Sequence, residues 1–382
     1  MVHQMKNTDL PLHFTLLACA IFSSQLFALD DWQSISAVEA GFSWDVGEKL
    51  DSAFENGDLK NLHSVIVMRN TRLVFERYYE GQDKIGGEPI GNIVFTPNTL
   101  HDLQSITKSI VSLLYGIALS EGKVPEVNTP LVDAFPAYGD LMTDPDRRRI
   151  KVEHALTMTM GLEWDESSYT YGDWRNSSTA MRVAQDRHRY LLGLPIVADP
   201  GTKFIYSGGA TMALGHIIKT GVGKSLVEYA KEKLFHPLGI TDIEWRKYRN
   251  GEERAAGGLR MRPRDLAKIG QLILNQGRWK GVQLVPSDWL TSSFLESASL
   301  NKVVKYGYQW WIVRLKKLND QWVWGEGGID KSIAGNGWGD QRLIIVPAYQ
   351  LVIVINAGNY GVRNSKLTKE IYPNYIMPAL KY

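Results

Sequence analysis

HDLQSITKSIVSLLYGIA, residues 101–118, sets an apolar, helix-forming run behind a serine and a lysine three residues apart. The apolar stretch from Ile110 to Ala118 reads as a helix enclosed by other elements. On a helix, residues three apart share a face, so Lys108 stands one turn behind Ser105 with its amine within reach of the hydroxyl. A lysine is costly to hide, which makes the pair a candidate for chemistry. Serine is a poor nucleophile until a base takes its proton, and lysine, with a free pKa of about 10.4, becomes such a base when burial or nearby positive charge lowers it. Bringing it near 7 takes about 4 kcal/mol of differential stabilisation. The apolar run and the positive end of the helix both push that way. The plainer alternative makes Ser105 an N-terminal cap and Lys108 a snorkelling surface side chain.

Ser-x-x-Lys occurs three times, at Ser105/Lys108, Ser120/Lys123 and Ser299/Lys302. The second straddles Gly122, which ends a helix, and the third lies in a polar stretch without helical period. Only Ser105 opens a helix.

Outward from this segment, HSVIVMRN (63–70) and RLVFERYYEG (72–81) are β-branched and aromatic runs meeting at Asn70 and Thr71, a hairpin. Near the other end, YGYQWWIV (306–313), QWVWGEGG (321–328), RLIIVP (342–347) and YQLVIVINAG (349–358) are four more strand-like runs. The middle has helical spacing instead, in ITKSIVSLLYGIALSEGK (106–123), GGATMALGHIIKTGVG (208–223), SLVEYAKEKLFHPLG (225–239) and RPRDLAKIGQLILNQG (262–277). Long polar loops separate these, notably EWDESSYTYGDWRNSS (163–178). The expected fold class is α+β: an antiparallel sheet built from both chain ends and flanked by helices, with a mostly helical lobe inserted at about 120–300.

Two further segments carry candidate chemistry. Tyr206 lies in a short extended stretch after the Pro200-Gly201 turn and directly before a helix, where a phenol can project into a cleft and relay a proton. DKSIAGNGWGDQRLIIVP (330–347) reads as a glycine-rich turn, with Gly335, Gly337 and Gly339, running into a strand. Glycines permit close approach of main-chain N–H groups, and one of these paired with the N–H of Ser105 would hold a developing oxyanion. A packed tyrosine and a plain hairpin loop are the bland readings.

Over the 382 residues, 43 basic side chains face 41 acidic ones for a formal charge of +2, with no block of like charge that would track phosphates or anionic lipid. Nucleic acid is not an expected partner. Residues 1–28 have the layout of a secretory signal peptide: Lys6, an apolar run at about 14–27, and Ala28 before Asp30 and Asp31. The mature domain is then 29–382, periplasmic or secreted, with no stable membrane span. The single cysteine, Cys19, lies in the leader, so the mature chain has neither disulfide nor thiol nucleophile; read as a lipoprotein box, Cys19 would instead be lipidated. No Gly-x-Ser-x-Gly elbow, His-Glu-x-x-His or phosphate loop occurs, the eight histidines show no ligand spacing, and no metal or cofactor is implied. His101 and His154 are expected to satisfy local hydrogen bonds. Among twelve tryptophans, Trp164, Trp174, Trp310, Trp311 and Trp338 are candidates for the walls of a cleft.

Taken in order, SITK, HALTMTMGLEWDE, PGTKFIYSGGATMALGHII, LFHPLGITDIEW, GGLRMRPRDLAKIGQLILNQGRWKG and YGYQWW resemble recurrent segments of the serine β-lactamase and penicillin-binding-protein superfamily, most closely its class C-like hydrolases. These include esterases, D-amino-acid peptidases and 6-aminohexanoate-oligomer hydrolases. The resemblance covers nearly all of the mature chain. It implies Ser105 as acylated nucleophile, Lys108 as its base and Tyr206 as the tyrosine of a Tyr-x-Asn element. Two departures stand out. The asparagine position, whose amide holds a substrate acylamide, is Gly208. The third element lacks the usual Lys or His, although Lys331 is adjacent, which places Gly335 and Asn336 as oxyanion donor and neighbouring contact. A β-lactam or D-Ala-D-Ala peptide carries a carboxylate that this cation would bind, and losing such a bond costs about 1.5–3 kcal/mol. The implied activity is therefore hydrolysis of a small ester or amide through an acyl-enzyme, with a β-lactamase or D-Ala-type peptidase, and a non-catalytic sensor, as alternatives.

Overall fold

The computed structural model describes residues 1, 32–328, 330–362, 365 and 367–381; apart from Met1, the expected leader with Cys19 lies outside the described residues. After α1 (Val46–Glu55), the first apolar runs form β1 (Leu62–Arg69) and β2 (Arg72–Tyr78). Their turn is Asn70 and Thr71, at φ of 50° and 67°, the left-handed pair of a two-residue hairpin. A second hairpin, β3 (Glu80–Ile85) and β4 (Glu88–Val94), had no clear signal, because β4 is exposed along most of its length and shows no apolar alternation. The two-residue β5 (His101–Asp102) leads into α2 (Ile106–Ser120).

The helical middle comprises α3 (Gly139–Met142), α4 (Pro145–Arg148), α5 (Val152–Leu156), α6 (Ser177–Val183), α7 (Arg187–Gly193), α8 (Gly208–Val222) and α9 (Leu226–Ala230). The segment expected as one helix over 225–239 is shorter: α9 passes into a π-helical turn at Lys231–Phe235. β6 (Ile243–Trp245) pairs with β7 (Leu259–Met261), which pairs with β5 on its other side, in a small sheet. Next come α10 (Pro263–Leu274), the pair β8 (Arg278–Trp279) and β9 (Val282–Gln283), and α11 (Ser287–Ser293). α10 falls within the stretch expected for the lobe, yet it packs on the large sheet.

That sheet takes β10 (Ala298–Ser299), β11 (Lys305–Tyr306), β12 (Trp311–Leu318), β13 (Gln321–Trp324), β14 (Asp330–Gly337), β15 (Gln341–Val346) and β16 (Leu351–Ala357). Its order is β10-β11-β12-β14-β15-β16-β1-β2, with β13 beside β12. All ladders are antiparallel, and Val354 opposite Ile66 joins the two chain ends, as the sequence pattern implies. Val352 and Val354 face a core shared with α2 and α10; Leu351, Ile353 and Ile355 face a second core with α1 and the C-terminal helical residues. A strand covered on both faces reads as an unbroken apolar run, which is what YQLVIVINAG shows.

One expectation is corrected: Gly335, Asn336 and Gly337 are strand, not turn. Their ladder with Leu343, Arg342 and Gln341 continues β14, so the turn starts at Trp338. These glycines serve close packing. A Cβ on Gly335 would stand 3.2 Å from Ile106 Cγ2, and one on Gly337 would stand 2.4 Å from Leu103 O. Among the described residues, no helix is long and apolar enough to cross a membrane.

In α2 every side chain from Ile106 to Ala118 is buried. Its far end is set by Gly116, where an added Cβ would lie 2.2 Å from Cδ1 of Trp289, a ring stacked on Tyr115. Gly116→Ala is therefore expected to lower stability by about 1–3 kcal/mol through overpacking. Chemical denaturation checks this, and an unchanged midpoint would count against the packing account.

Candidate active site

Ser105 precedes α2 and is partly exposed. Its hydroxyl does not cap the helix. Instead Lys108 Nζ lies 2.8 Å from Ser105 Oγ and donates to Ala256 O at 2.7 Å. The surface alternative for the lysine fails, since Lys108 is 3% exposed. Immediately upstream, Gln104 adopts a φ of 48°, a left-handed conformation uncommon for a residue with a side chain. It is held by Gln104 Nε2 donating to Asp102 Oδ2 and by Thr107 Oγ1 donating to Gln104 O. Asp102 in turn pairs with Arg260 at 2.9 Å and accepts from the N–H of Gly86 in the β3–β4 turn.

Tyr206 meets this pair. Lys108 Nζ lies 5.0 Å from the Tyr206 ring centroid, and the ring stacks on Trp311 at 5.6 Å. The approach to the tyrosine is pinned by Ile205 N donating to Met158 O, and the following Ser207 caps α8 through Ala210 N. Gly208 lines the same cleft. Where the resemblance expects an asparagine side chain, the Glu166 carboxylate comes in: its Oε2 accepts from Gly208 N and from Trp164 Nε1, both at 2.8 Å.

The cleft around Ser105 and Lys108 encloses about 460 Å³. Of the five tryptophans singled out, Trp338 lines it directly and Trp311 backs Tyr206. Trp310 is enclosed in the core, Trp164 is buried with its N–H turned to Glu166, and Trp174 projects outward at 78% exposure. Gly335 packs beside Ile106 and Ser109, and Trp338 is the residue of that segment that reaches the cleft. The pairing of β14 with β12 stops at Ala334, which leaves that edge of 335–337 open. The other Ser-x-x-Lys sites are elsewhere: Ser120 Oγ donates to Ile117 O, and Ser299 Oγ accepts from Lys305.

Sequence reasoning missed Glu166, Tyr171, Arg182, Arg246, Tyr248 and Arg254 in the cleft lining. They come from loops and short helices whose convergence has no local pattern. It also missed Gln309, a buried amide at φ of 64° that ties the site's elements together. Ser109 of α2 donates to Gln309 O, Thr211 of α8 donates to Gln309 Oε1, and Gln309 Nε2 donates to Ala155 O and Leu156 O of α5.

Behind the serine, His63 Nδ1 and His101 Nε2 are 2.9 Å apart, and His101 Nδ1 is 3.1 Å from Asp102 O. His154 Nδ1 accepts from Lys151 N. Burial holds both His63 and His101 below the usual imidazole range, with His101 adding to the effect on His63, which falls to about 2. Linear spacing shows no histidine cluster; among the described residues, two groups form through the fold. His63, Asp83 and His101 converge, as do His188, His216 and Glu252. In the first, the 2.9 Å separation is a hydrogen bond, shorter than the roughly 3.3 Å between two nitrogens on one tetrahedral ion with bonds of about 2.0–2.1 Å. In the second, Glu252 already serves Arg187 at 3.3 Å and lies 4.0 Å from Lys219.

Comparison with known proteins follows the same geometry. A family model described as Beta-lactamase matches residues 63–363. A protein of Escherichia coli (strain K12), provisionally named D-alanyl-D-alanine carboxypeptidase, is 24% identical over 62% of this chain and 55% of its own, so the chain spans about half of that relative's length. An N-acetylmuramyl-L-alanine amidase of Bacillus subtilis (strain 168) is 23% identical, with 97% of this chain and 93% of its own aligned. A solved structure from Bacillus anthracis, provisionally named a 6-aminohexanoate-dimer hydrolase, superposes with a TM-score of 0.68 at 21% identity, covering 91% of this chain and 86% of its own. At that identity the superposition shows a shared fold.

Two expectations follow from the support of the site. Gln309→Leu keeps the volume and the main-chain carbonyl that Ser109 uses, but strands the Thr211 hydroxyl of α8 and two carbonyls of α5, and should cost about 3 kcal/mol in a denaturation experiment, since each orphaned group costs about 1–3 kcal/mol. Retention of full stability would show that the amide ties nothing. For pH, the unfolded chain protonates its imidazoles below about pH 6.5 while the folded His63 and His101 stay neutral. The unfolded state then binds more protons, so stability is complete above that pH and falls by about 1.4 kcal/mol per pH step for His63, down to about pH 2, with His101 acting in the same direction. Melting curves at successive pH values should shift down from 6.5 to 5; a level midpoint contradicts the account.

Proposed function

Because the chain belongs to the Beta-lactamase family of serine hydrolases, we propose that it cleaves a small ester or amide through an acyl-enzyme on Ser105. The observation that carries this is Lys108 Nζ, 2.8 Å from Ser105 Oγ and 5.0 Å from the Tyr206 ring centroid, at a cleft open to a ligand. In its neutral form Lys108 takes the serine proton as Oγ attacks the substrate carbonyl carbon. As the tetrahedral intermediate collapses, the bond to the leaving oxygen or nitrogen breaks, and Tyr206 relays the proton held by Lys108 to that atom, leaving the amine neutral again. Water then attacks the acyl carbon and loses a proton to Lys108; the carbon–Oγ bond breaks, the proton returns to Ser105 Oγ, and the acid leaves. The N–H of Ser105 has no acceptor among the described residues, and with a main-chain N–H on the open edge of 335–337 it makes the oxyanion pair, each donor being worth about 3–4 kcal/mol.

An ester or amide fits better than a β-lactam or D-Ala-D-Ala peptide. The cation adjacent to the third segment, Lys331, is tied up: its Nζ donates to Phe294 O at 2.5 Å. The asparagine amide is replaced by Gly208 and Glu166. Action in the periplasm or medium is part of this reading and is supported by the leader-like residues 1–28.

A fluorophosphonate probe should form one covalent adduct, located on Ser105 by mass spectrometry. Ser105→Ala should abolish it, Lys108→Met should slow it by about 10²–10⁴-fold, and Ser299→Ala should leave it intact. Persistent labelling of Ser105→Ala would overturn the nucleophile. Absence of any adduct in the unaltered protein would favour a binding role, and rapid turnover of a chromogenic cephalosporin relative to p-nitrophenyl esters would favour the β-lactamase reading.

A further inference from the structure

The cleft has a second chemical feature that hydrolysis at Ser105 does not use. Arg182 of α6, Arg246 just after β6, and Arg254 line it together with Tyr248. Among the described residues, none of these three guanidiniums is within ion-pair distance of a carboxylate, whereas their neighbour Arg187 pairs with Glu252 at 3.3 Å. Two acids, Glu88 and Glu166, also line the cleft; Glu166 is engaged by Gly208 N and Trp164 Nε1, and neither pairs with the arginines.

Packing sets Arg246 and Arg254 in place, while Arg182 stands exposed on α6. The Arg187 and Arg254 guanidiniums lie 4.2 and 5.4 Å from the Tyr248 ring centroid. Arg254 is half-buried, and its Nε is enclosed without a hydrogen-bond partner. Burial and the charges of Arg246, Arg182 and Arg187 hold its pKa below the ordinary value. Gly86, at φ of 60°, leaves room for the Arg246 guanidinium to cross the β3–β4 turn, where a Cβ would overlap it at 0.9 Å. Like charges gathered beside a cavity repel one another, and an anion among them removes that repulsion. The site is also near the reaction: Arg254 is two residues from Ala256, whose carbonyl accepts from Lys108, and two residues span at most about 7 Å.

We propose that the substrate is an acidic ester or amide, with its scissile carbonyl at Ser105 and a carboxylate held by Arg182, Arg246 and Arg254. This rests on the reading of Ser105 as nucleophile. It places anion recognition on 182, 246 and 254, away from the Lys331–Gly337 segment where the family resemblance puts a cation.

The test compares p-nitrophenyl hemiglutarate with p-nitrophenyl valerate, chains of equal length with and without a terminal carboxylate. A preference of about tenfold or more in kcat/KM for the hemiglutarate, carried by KM, is expected, one charge-assisted bond being worth that much. The ratio should shrink toward one in Arg254→Met and in Arg182→Gln, the latter at an exposed helix position where folding is not at stake, and recover in part in Arg254→Lys. A wild-type ratio near one, or a ratio untouched by these variants, overturns the inference. Calorimetry on Ser105→Ala with glutarate and neutral glutaramide separates the two readings. Tighter glutarate binding that needs Arg254, in a protein that turns over no ester, keeps the anion site and removes the hydrolase; ester turnover without glutarate preference does the reverse.

Discussion

An enclosed lysine needs acceptors, and the site is organised around meeting that need. Removing an ammonium from water costs several kcal/mol unless partners replace the solvent. At Lys108 they are Ser105 Oγ, the carbonyl of Ala256 and the face of Tyr206. These belong to the start of α2, to the loop before β7 and to the approach to α8, segments separated by about 50 to 150 residues in sequence. The groups that make the buried amine tolerable are the groups through which a proton can travel. Satisfying the buried amine and assembling the proposed proton path are therefore one arrangement.

Holding three distant segments to hydrogen-bond precision requires a rigid frame. The sheet provides it by pairing β1 with β16, so the helical middle is anchored at both ends to one surface. Glycine then sets the spacing: Gly335 and Gly337 let β14 approach the first turn of α2, and Gly116 admits the Trp289 ring at its far side. Gln309 supplies the lateral tie among α2, α5 and α8. A buried side-chain amide with its oxygen and nitrogen satisfied fixes orientation more sharply than apolar contact does, because hydrogen bonds are directional and costly to leave unmade.

What could be read from the chain divides along the range of the forces involved. The strands at both ends, α2, α8 and α10 were legible because periodicity is a local record of which face is buried. The closeness of Lys108 to Ser105 was legible because helix geometry acts over a few residues, whereas Tyr206, from a distant segment, was placed with them by the family resemblance. The segment 335–337 misled because glycine marks turns and close approach alike, and here it marks approach within a strand. Glu166, Arg246, Arg254 and Gln309 left no local trace. Their roles depend on neighbours brought from elsewhere, as with His63 and His101, 38 residues apart yet hydrogen-bonded.

The two departures from the family pattern bear on recognition in opposite ways. An asparagine amide offers a substrate both a donor and an acceptor. The Glu166 carboxylate in its place only accepts, and one oxygen is already taken by Gly208 N and Trp164 Nε1. A substrate carbonyl therefore finds no donor there, and a substrate anion is repelled from that side. The arginines at 182, 246 and 254 reverse the sign across the same cleft. A ligand spanning it meets an acceptor near Tyr206 and donors toward Tyr248, which orients an acidic chain with its neutral end at the reacting carbonyl. Family membership carries the fold and the broad class of chemistry, while this polarity is set by the side chains lining the cleft, so specificity has to be argued from them and not from the fold.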